Sequence, residues 1–421
     1  MLLWYAIVPV AGAIYRRYEW FRFRNRFNAL RLRPVMEGRS YWEMGSGMEK
    51  LSSSIKRTSS GEPKKPDSGL SDQAPSEQRF FRFTGKPESV TEDSVLWVRG
   101  EDLTVPVLLK NAETYIFPMR GGEDTGIPAM SDPGDEAPEK VHWKTVSSST
   151  EGAKVFVGGA LSRVQGRLSF VSTKKNPLTV IFYDGDDSSL AAGVIWAGRQ
   201  GGEYFNRITP YSILTGGLCL LILAATFLPR PAFRPTVIAA ITAIFTPLLP
   251  LVPPGILFTA AYRRLARRSR ILRSYSDLAK LPLLYFETEK PKKENGGTGK
   301  VGFKNIHRNA VLPGGEAYGC VQKTELPAEV QDGKIPMLIP EAAKRGGHAW
   351  HIFGVIKPSE TVPVRPLDPF VTFGALPGNP AEFARHCTVK AYITEAAGWI
   401  LLLTGTGLSG FFLRLIVPML V

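Results

Sequence analysis

Apolar residues crowd into four runs along the chain, and polar and charged residues fill the stretches between them. The strongest run, Ile213–Leu228 (ILTGGLCLLILAATFL), carries no charge and extends back to Tyr211. Thr236–Tyr262 is also uncharged, and the short loop Pro229–Pro235 joins the two as a helical hairpin. The last run, Ala396–Val421, is interrupted only by Arg414, close enough to the end to snorkel outward. The first, Leu2–Tyr15, is short. A spanning helix needs about 20 mostly apolar residues, and roughly 14 rise only about 21 Å. Thinning of the bilayer, with Tyr18 and Trp20 at the interface, lets such a run cross. A cleaved signal peptide fits poorly, because the positive charges follow this run instead of preceding it. The pattern therefore predicts four transmembrane segments: residues 1–15 as a signal anchor, 209–228, 236–262 and 396–421. Pro247, Pro250, Pro253 and Pro254 predict that the third is kinked or discontinuous.

The intervening stretches predict soluble structure. In residues 79–208 the period changes to short β-branched and aromatic segments separated by turn residues, among them RFFRF, SVLWV, KVFVGGAL and LTVIFY. That spacing predicts a small barrel or sandwich, and an OB-like barrel is one form it does not single out. Residues 263–394 predict a second β-rich domain with some helix. Its strands are placed at LPLLYFET, AWHIFGVI and PFVTFGAL, and Asn379 is a candidate helix N-cap ahead of Pro380. The fold class expected is thus a membrane protein with about four helical spans and two cytoplasmic β-rich domains.

Residues 16–44 form a basic segment in which Trp20, Phe23, Phe27 and Leu30 recur at helical spacing while Arg17, Arg24 and Arg31 lie on another face. An amphipathic helix lying in the membrane interface has this form; the competing reading packs the aromatic stripe on the following domain. Residues 45–78, with clusters such as SSSIKRTSS and GEPKKPDSG, are too polar to bury a core and read as a disordered linker.

Charge changes the picture in one way: it orients the spans. The 421 residues carry a formal charge of +14, and the arginines crowd beside the apolar runs. That placement favours a membrane surface over nucleic acid, which is not expected as a partner. Arg16, Arg17, Arg22 and Arg24 follow the first run, and Arg263, Arg264, Arg267 and Arg268 follow the third; these eight are the candidate membrane-surface contacts. The hairpin loop holds only Arg230 and Arg234. The positive-inside rule then puts both clusters in the cytoplasm and both termini outside a plasma (inner) membrane, with the anionic inner leaflet as a partner.

Two halves with the same order of run, basic segment, β domain and run, and with the junctions IYRR (Ile14–Arg17) and AYRR (Ala261–Arg264), suggest a parallel duplication with one strand order in both domains.

Candidate chemistry is sparse. Cys219, Cys320 and Cys387 form no CxxC pair. His348 and His351 lie three apart, which on a strand places them on opposite faces, so with His307, His386 and the cysteines they define no convergent zinc site. Asp184, Asp186 and Asp187 in FYDGDDS read as a solvated turn. No cofactor is expected. The leading expectation is a non-enzymatic scaffold or assembly factor that binds a protein partner or itself. A transport or channel component built on the Pro-rich hairpin and a membrane-bound enzyme are the rivals.

Overall fold

The computed structural model describes residues 3–39, 41, 42, 44, 79–91, 93–117, 138–148, 152–164, 167–173, 176–286, 309–339 and 349–420. The expected linker at 45–78 lies outside the described residues.

A π-helical turn, Leu3–Ile7, runs directly into α1, Val8–Arg31. Pro9 falls inside this continuous helical run and lacks the N–H that would bond one turn back; the carbonyls of Trp4 and Tyr5 there accept from the Ser212 and Tyr204 hydroxyls instead. The first apolar run and the basic segment are therefore one helix. The expected interfacial stripe is corrected: Trp20, Phe23, Phe27 and Leu30 are buried in one cluster with Tyr115, Phe156, Ile181 and Tyr183 of the β domain. Aromatic side chains bury large areas, and a second apolar wall outbids the interface for them.

That wall belongs to a sheet that closes into a barrel and extends beyond it. Its strands are β1 (Phe80–Val90), β2 (Val95–Arg99), β3 (Thr104–Leu108), β4 (Glu113–Ile116), β5 (Glu139–Val141), β6 (Lys154–Val164), β7 (Arg167–Val171) and β8 (Thr179–Tyr183). Hydrogen bonding runs β1-β2-β3-β7-β6 and closes from β6 back onto β1. The contact between β3 and β7 is parallel, at Val107 and Phe170, and the other pairs around the ring are antiparallel. This is the connectivity of a five-stranded Greek-key barrel of the OB type. β1 serves two neighbours, pairing through Gly85 with β6 and from Lys86 with β2. The interior is filled by Leu96, Val98, Val107, Val157 and Phe170. β8, β4 and β5 extend the sheet beyond β6.

Two glycines let α1 seat on this surface. A Cβ on Gly158 of β6 would stand 2.8 Å from the Leu30 side chain, and one on Gly198 would stand 2.1 Å from the Trp20 ring. Gly198 also has φ +63, a conformation that favours glycine. Of the acidic FYDGDDS segment, expected as a solvated turn, Asp184 and Asp186 are exposed, whereas Asp187 opens α2, Asp187–Trp196, and is partly buried. The Gly185 N–H donates to Asp184, and Asp187 pairs with Lys154 at 2.9 Å.

α3 (Thr209–Phe227) and α4 (Arg234–Ile244) follow, and a 3₁₀ stretch, Thr246–Leu251, leads to α5, Gly255–Lys280. Two stretches among the described residues, Thr209–Phe227 and Pro231–Leu251, are long and apolar enough to cross a membrane. Four were expected. The apolar part of α1 is short, and the run 236–262 is divided, with its last apolar residues forming the start of the basic helix α5. The expected discontinuity at the prolines is present, between Ile244 and Gly255.

The second soluble unit is a four-stranded antiparallel sheet in the order β12-β11-β10-β9. Its strands are β9 (Ala310–Val311), β10 (Ala317–Lys323), β11 (Trp350–Val355) and β12 (Gly374–Pro377), with the short helix α6 (Ala328–Gln331) after β10. AWHIFGVI holds β11 as expected, whereas in LPLLYFET the residues Pro282–Tyr285 form a 3₁₀ turn, not a strand. Asn379 caps α7, Pro380–Leu420, by accepting from the Ala381 N–H at 3.0 Å. Among the described residues the named strands of this sheet run antiparallel in simple succession, with a parallel bridge only from Met337 to Ala375, unlike the β1-β2-β3-β7-β6 ring of the barrel, so the common strand order that a duplication requires is not found there. The two YRR junctions also differ in surroundings: Arg16 and Arg17 are ion-paired, whereas Arg263 and Arg264 are exposed.

α5 and α7 lie antiparallel, joined by hydroxyls. Ser276 donates to the Ala384 carbonyl at 2.9 Å, Ser269 to Ala391 at 3.0 Å, and Ser409 accepts from the Gly255 N–H at 2.9 Å. The core of the second unit draws Tyr275, Leu278 and Ala279 from α5 and Cys387 from α7.

Candidate functional site

Two places in this architecture concentrate charge. The first is the border between the apolar helices and the soluble units. The eight arginines predicted to face the membrane divide there into two groups. Arg22, Arg263, Arg264, Arg267 and Arg268 are exposed. Arg16, Arg17 and Arg24 are turned into intramolecular contacts, with a carboxylate of their own helix, a carboxylate of α7 and the carbonyl that follows α2. Arg16 pairs with Glu19 at 3.0 Å and Arg17 with Glu395 of α7 at 3.3 Å. Arg24 donates to the Ala197 carbonyl at 2.6 Å. Burial, with Arg199 close by, pulls the Arg24 guanidinium down to about 9.

Further ion pairs complete a belt. Glu395 also holds Arg273, and Glu203 holds Arg270. Arg199 donates to Asp277 at 2.5 Å and to the Ile195 carbonyl at 2.7 Å. Burial lowers the pKa of Arg199, while Asp277 opposes that shift. Just beyond the belt Tyr204, Tyr262 and Trp399 stack in a T-shaped cluster. The Tyr204 hydroxyl donates to the Tyr5 carbonyl at 2.6 Å, and Asn206 to that of Pro9 at 3.0 Å. Four helices are thereby pinned at one level.

The sequence reading placed Tyr18 and Trp20 at an interface; Trp20 is buried, and Tyr18 belongs to a larger outward aromatic face that the reading missed. Tyr15, Tyr18 and Phe21 of α1 and Tyr392 and Ile393 of α7 are exposed. The Arg22 guanidinium lies 5.6 Å from the Tyr18 ring, and those of Arg17 and Arg273 lie 5.9 and 5.4 Å from Tyr392. Aromatic rings beside arginine are the composition of a membrane–water interface. The signal was available: positions 14, 18 and 21 repeat at helical spacing opposite the stripe of Trp20 and Phe27.

The second place is a cavity of about 740 Å³ in the second unit. It lies where α2 (Ala191) and the end of α5 (Leu278, Leu281) meet the loops that carry Ile335, Val364 and Phe373. Arg31, the last residue of α1, forms part of its wall and is only 1% exposed. Its Nη2 donates to the Leu281 carbonyl at 3.2 Å and to Thr372 Oγ1 at 3.3 Å, and its guanidinium lies 5.4 Å from the Tyr285 ring. Nε and Nη1 have no acceptor, and among the described residues no carboxylate pairs with this arginine. The neighbouring Asp368 is engaged by Arg82. Tyr318 holds the cavity loop by donating to the Thr372 carbonyl at 2.7 Å.

The sulfur and imidazole residues do not converge on a metal site among the described residues. Cys320 on β10 and Cys387 on α7 belong to the apolar core, and burial pushes the Cys320 thiol up to about 12. His351 lies on β11, while His307 and His348 lie outside the described residues. Comparison of the chain with known protein families, with curated proteins and with solved structures found no match.

Proposed function

We propose that this chain is a membrane-anchored, non-enzymatic scaffold or assembly protein that holds its OB-type barrel and its second β unit at a fixed height over the cytoplasmic face of a plasma (inner) membrane. The observation that carries this reading is the mounting. α1, α5 and α7 pass without interruption from the apolar layer into the soluble layer, and Arg17, Glu395, Arg273, Arg199 and Asp277 tie them together at the border. Helices continuous with their anchors transmit position and orientation, which a scaffold requires and a tethered binding module does not. In this topology residues 1–15, 209–228, the discontinuous 236–262 and 396–421 cross the bilayer. The exposed Arg22, Arg263, Arg264, Arg267 and Arg268 face the anionic inner leaflet. The partner is another protein or a second copy of the chain.

A transport reading would start from the break between Ile244 and Gly255. There Ser409 accepts from the Gly255 N–H and donates to the Val252 carbonyl at 3.1 Å, so the backbone groups freed by the prolines already have a neighbour. That arrangement supports a structural kink.

The test is the state of the full chain in its membrane. After crosslinking in intact membranes and gentle solubilisation, the protein is expected in a species of defined stoichiometry with a partner or with itself. A lone 46.3 kDa chain as the sole species in both crosslinked and uncrosslinked samples overturns the proposal.

A further inference from the structure

The border between the apolar layer and the soluble units carries an inference that rests on the spanning topology proposed above and not on the scaffold role. We propose that Arg17, Arg273 and Tyr392 form a discrete site for one anionic phospholipid of the inner leaflet, whose phosphate the two guanidiniums receive.

Three observations converge on that ligand. The first is the sharing of Glu395. Its Oε1 accepts from Arg17 at 3.3 Å and its Oε2 from Arg273, so one carboxylate serves guanidiniums from two different helices. Neither arginine is sealed by that contact: the side chains of Arg17 and Arg273 are 41% and 22% exposed. Both stand beside the Tyr392 ring, at 5.9 and 5.4 Å, and Tyr392 is 56% exposed. One carboxylate between two guanidiniums leaves one positive charge open, which the single charge of a phosphodiester meets. The planar fork of donors on arginine matches phosphate oxygens.

The second is the charge behind this pair. Arg17 and Arg273 lie close enough to Arg24 to add to the burial and the Arg199 charge that lower its pKa. Asp277 is shared in turn, between Arg199 at 2.5 Å and Lys280 at 3.9 Å. Arg17, Arg24, Arg199, Arg273 and Lys280 thus divide two carboxylates, Glu395 and Asp277. The flanking pairs Arg16–Glu19 and Arg270–Glu203 each set one cation against one carboxylate and leave that excess unchanged. The excess is accessible at Arg17 and Arg273.

The third is a gradient along two helices. On α1 the exposed residues Ile7, Ile14, Tyr18 and Phe21 share one face, and on α7 so do Leu403, Ile400, Ile393 and Tyr392. Both faces pass from aliphatic to aromatic as they approach the soluble layer, although α1 enters that layer and α7 leaves it. A bilayer has this order of acyl chains, interface and phosphate. Ile14 and Ile400 offer the aliphatic surface for the lipid tails below the arginines.

The experiment titrates the full chain in neutral detergent micelles with dioleoylphosphatidylglycerol and counts bound lipids by native mass spectrometry. Dioleoylphosphatidylcholine and glycerophosphoglycerol, the headgroup without its tails, are the controls. Wild-type protein is expected to bind one phosphatidylglycerol about tenfold more tightly than either control, since two arginines act on it. Arg17→Gln leaves Glu395 paired with Arg273 and is expected to weaken binding about fivefold, the worth of one arginine at an anionic leaflet. Tyr392→Glu keeps both arginines and sets a carboxylate beside them. It is expected to lose the lipid, and because Tyr392 is exposed it keeps the proposal testable if Arg17→Gln fails to fold. Arg264→Gln removes an exposed border arginine outside the site and is expected to change nothing. Equal binding of either control, unchanged affinity in either folded variant, or an equal loss in Arg264→Gln each overturns the proposal. No bound phosphatidylglycerol overturns it too, and leaves this face to an acidic protein segment. Carbonate extraction of membranes carrying the wild-type chain separates two failures. A chain that stays with the membrane and retains no lipid fails this site alone, whereas a chain released by carbonate overturns the topology and the site with it. The stoichiometry read by crosslinking leaves the site untouched.

Discussion

Among the buried arginines of this chain, the partner decides the consequence. Arg199 is enclosed, and Asp277, at 2.5 Å, is the carboxylate that offsets its burial. Removing one member of a buried pair strands the other, whereas replacing both with apolar residues of similar size is often neutral. Asp277→Asn is therefore expected to destabilise the folded chain by about 2 kcal/mol, the size of a hydrogen bond to a charged group. The value stays at that level because the Asp277 side chain is 39% exposed and water screens part of the interaction. The double substitution Arg199→Met with Asp277→Leu is expected to recover most of the loss. Denaturation of nanodisc-embedded protein measures both, and an Asp277→Asn variant as stable as wild type would remove the belt from the list of structural supports. The arginine pattern itself was legible in the sequence. Which arginines stay exposed was not, because Glu395, Asp277 and the Ala197 carbonyl reach Arg17, Arg199 and Arg24 from positions far along the chain.

At the scale of elements, the division of labour along α1 is the central finding. One face, with Trp20, Phe23, Phe27 and Leu30, is buried on the barrel, and the opposite face exposes Tyr18 and Phe21. Both faces are visible as helical repeats in the sequence. What covers each is not, since a repeat fixes a direction and leaves the partner open. The strands were legible for the same local reason: β-branched and aromatic runs between turn residues mark β1, β2, β6 and β8. Closure was not, because it rests on β1 meeting β6 and β3 meeting β7, pairings between residues as far apart as Phe80 and Ala160 or Val107 and Phe170. The cavity escaped altogether, since its walls come from residues 31, 191, 278, 281, 329, 333–338, 359–366 and 368–373. The continuity of α1 has a direct consequence. Phe21 is 54% exposed, so Phe21→Ala removes little packing. Phe21→Pro deletes a helical hydrogen bond and sets the ring against the preceding turn, costing about 3 kcal/mol or more. The proline variant is expected to lose stability by that margin relative to the alanine variant in thermal or chemical denaturation. Equal stability of the two would mean that α1 is not one helix through this point.

For the whole molecule, the orientation proposed above follows from how charge is distributed about the apolar layer. α3 and the Pro231–Leu251 stretch expose Leu214, Leu218, Leu221, Ile238 and Ile241, side chains suited to lipid. The border that carries the ion-pair belt also carries the exposed arginines of α1 and α5, while the hairpin loop between α3 and α4 holds Arg230 and Arg234 alone. Each arginine near an anionic leaflet contributes about 1 kcal/mol, so five exposed ones outweigh two. The β units sit on the arginine side, because α1, α5 and α7 enter them directly. Cysteine scanning of intact cells reads this arrangement. The starting chain carries Cys219→Ala, with Cys320 and Cys387 retained in the core of the second unit. In that background Ala232→Cys, in the hairpin loop, is expected to react with a membrane-impermeant maleimide. Lys110→Cys on the barrel and Lys357→Cys on the second unit are exposed positions expected to react only after the cells are permeabilised. Two failures are informative in different ways. Labelling of positions 110 and 357 from outside, with protection of 232, reverses the orientation and shows that charge does not set it. Labelling of all three from outside removes the hairpin from the bilayer, and the two apolar helices then belong to an interface with another protein.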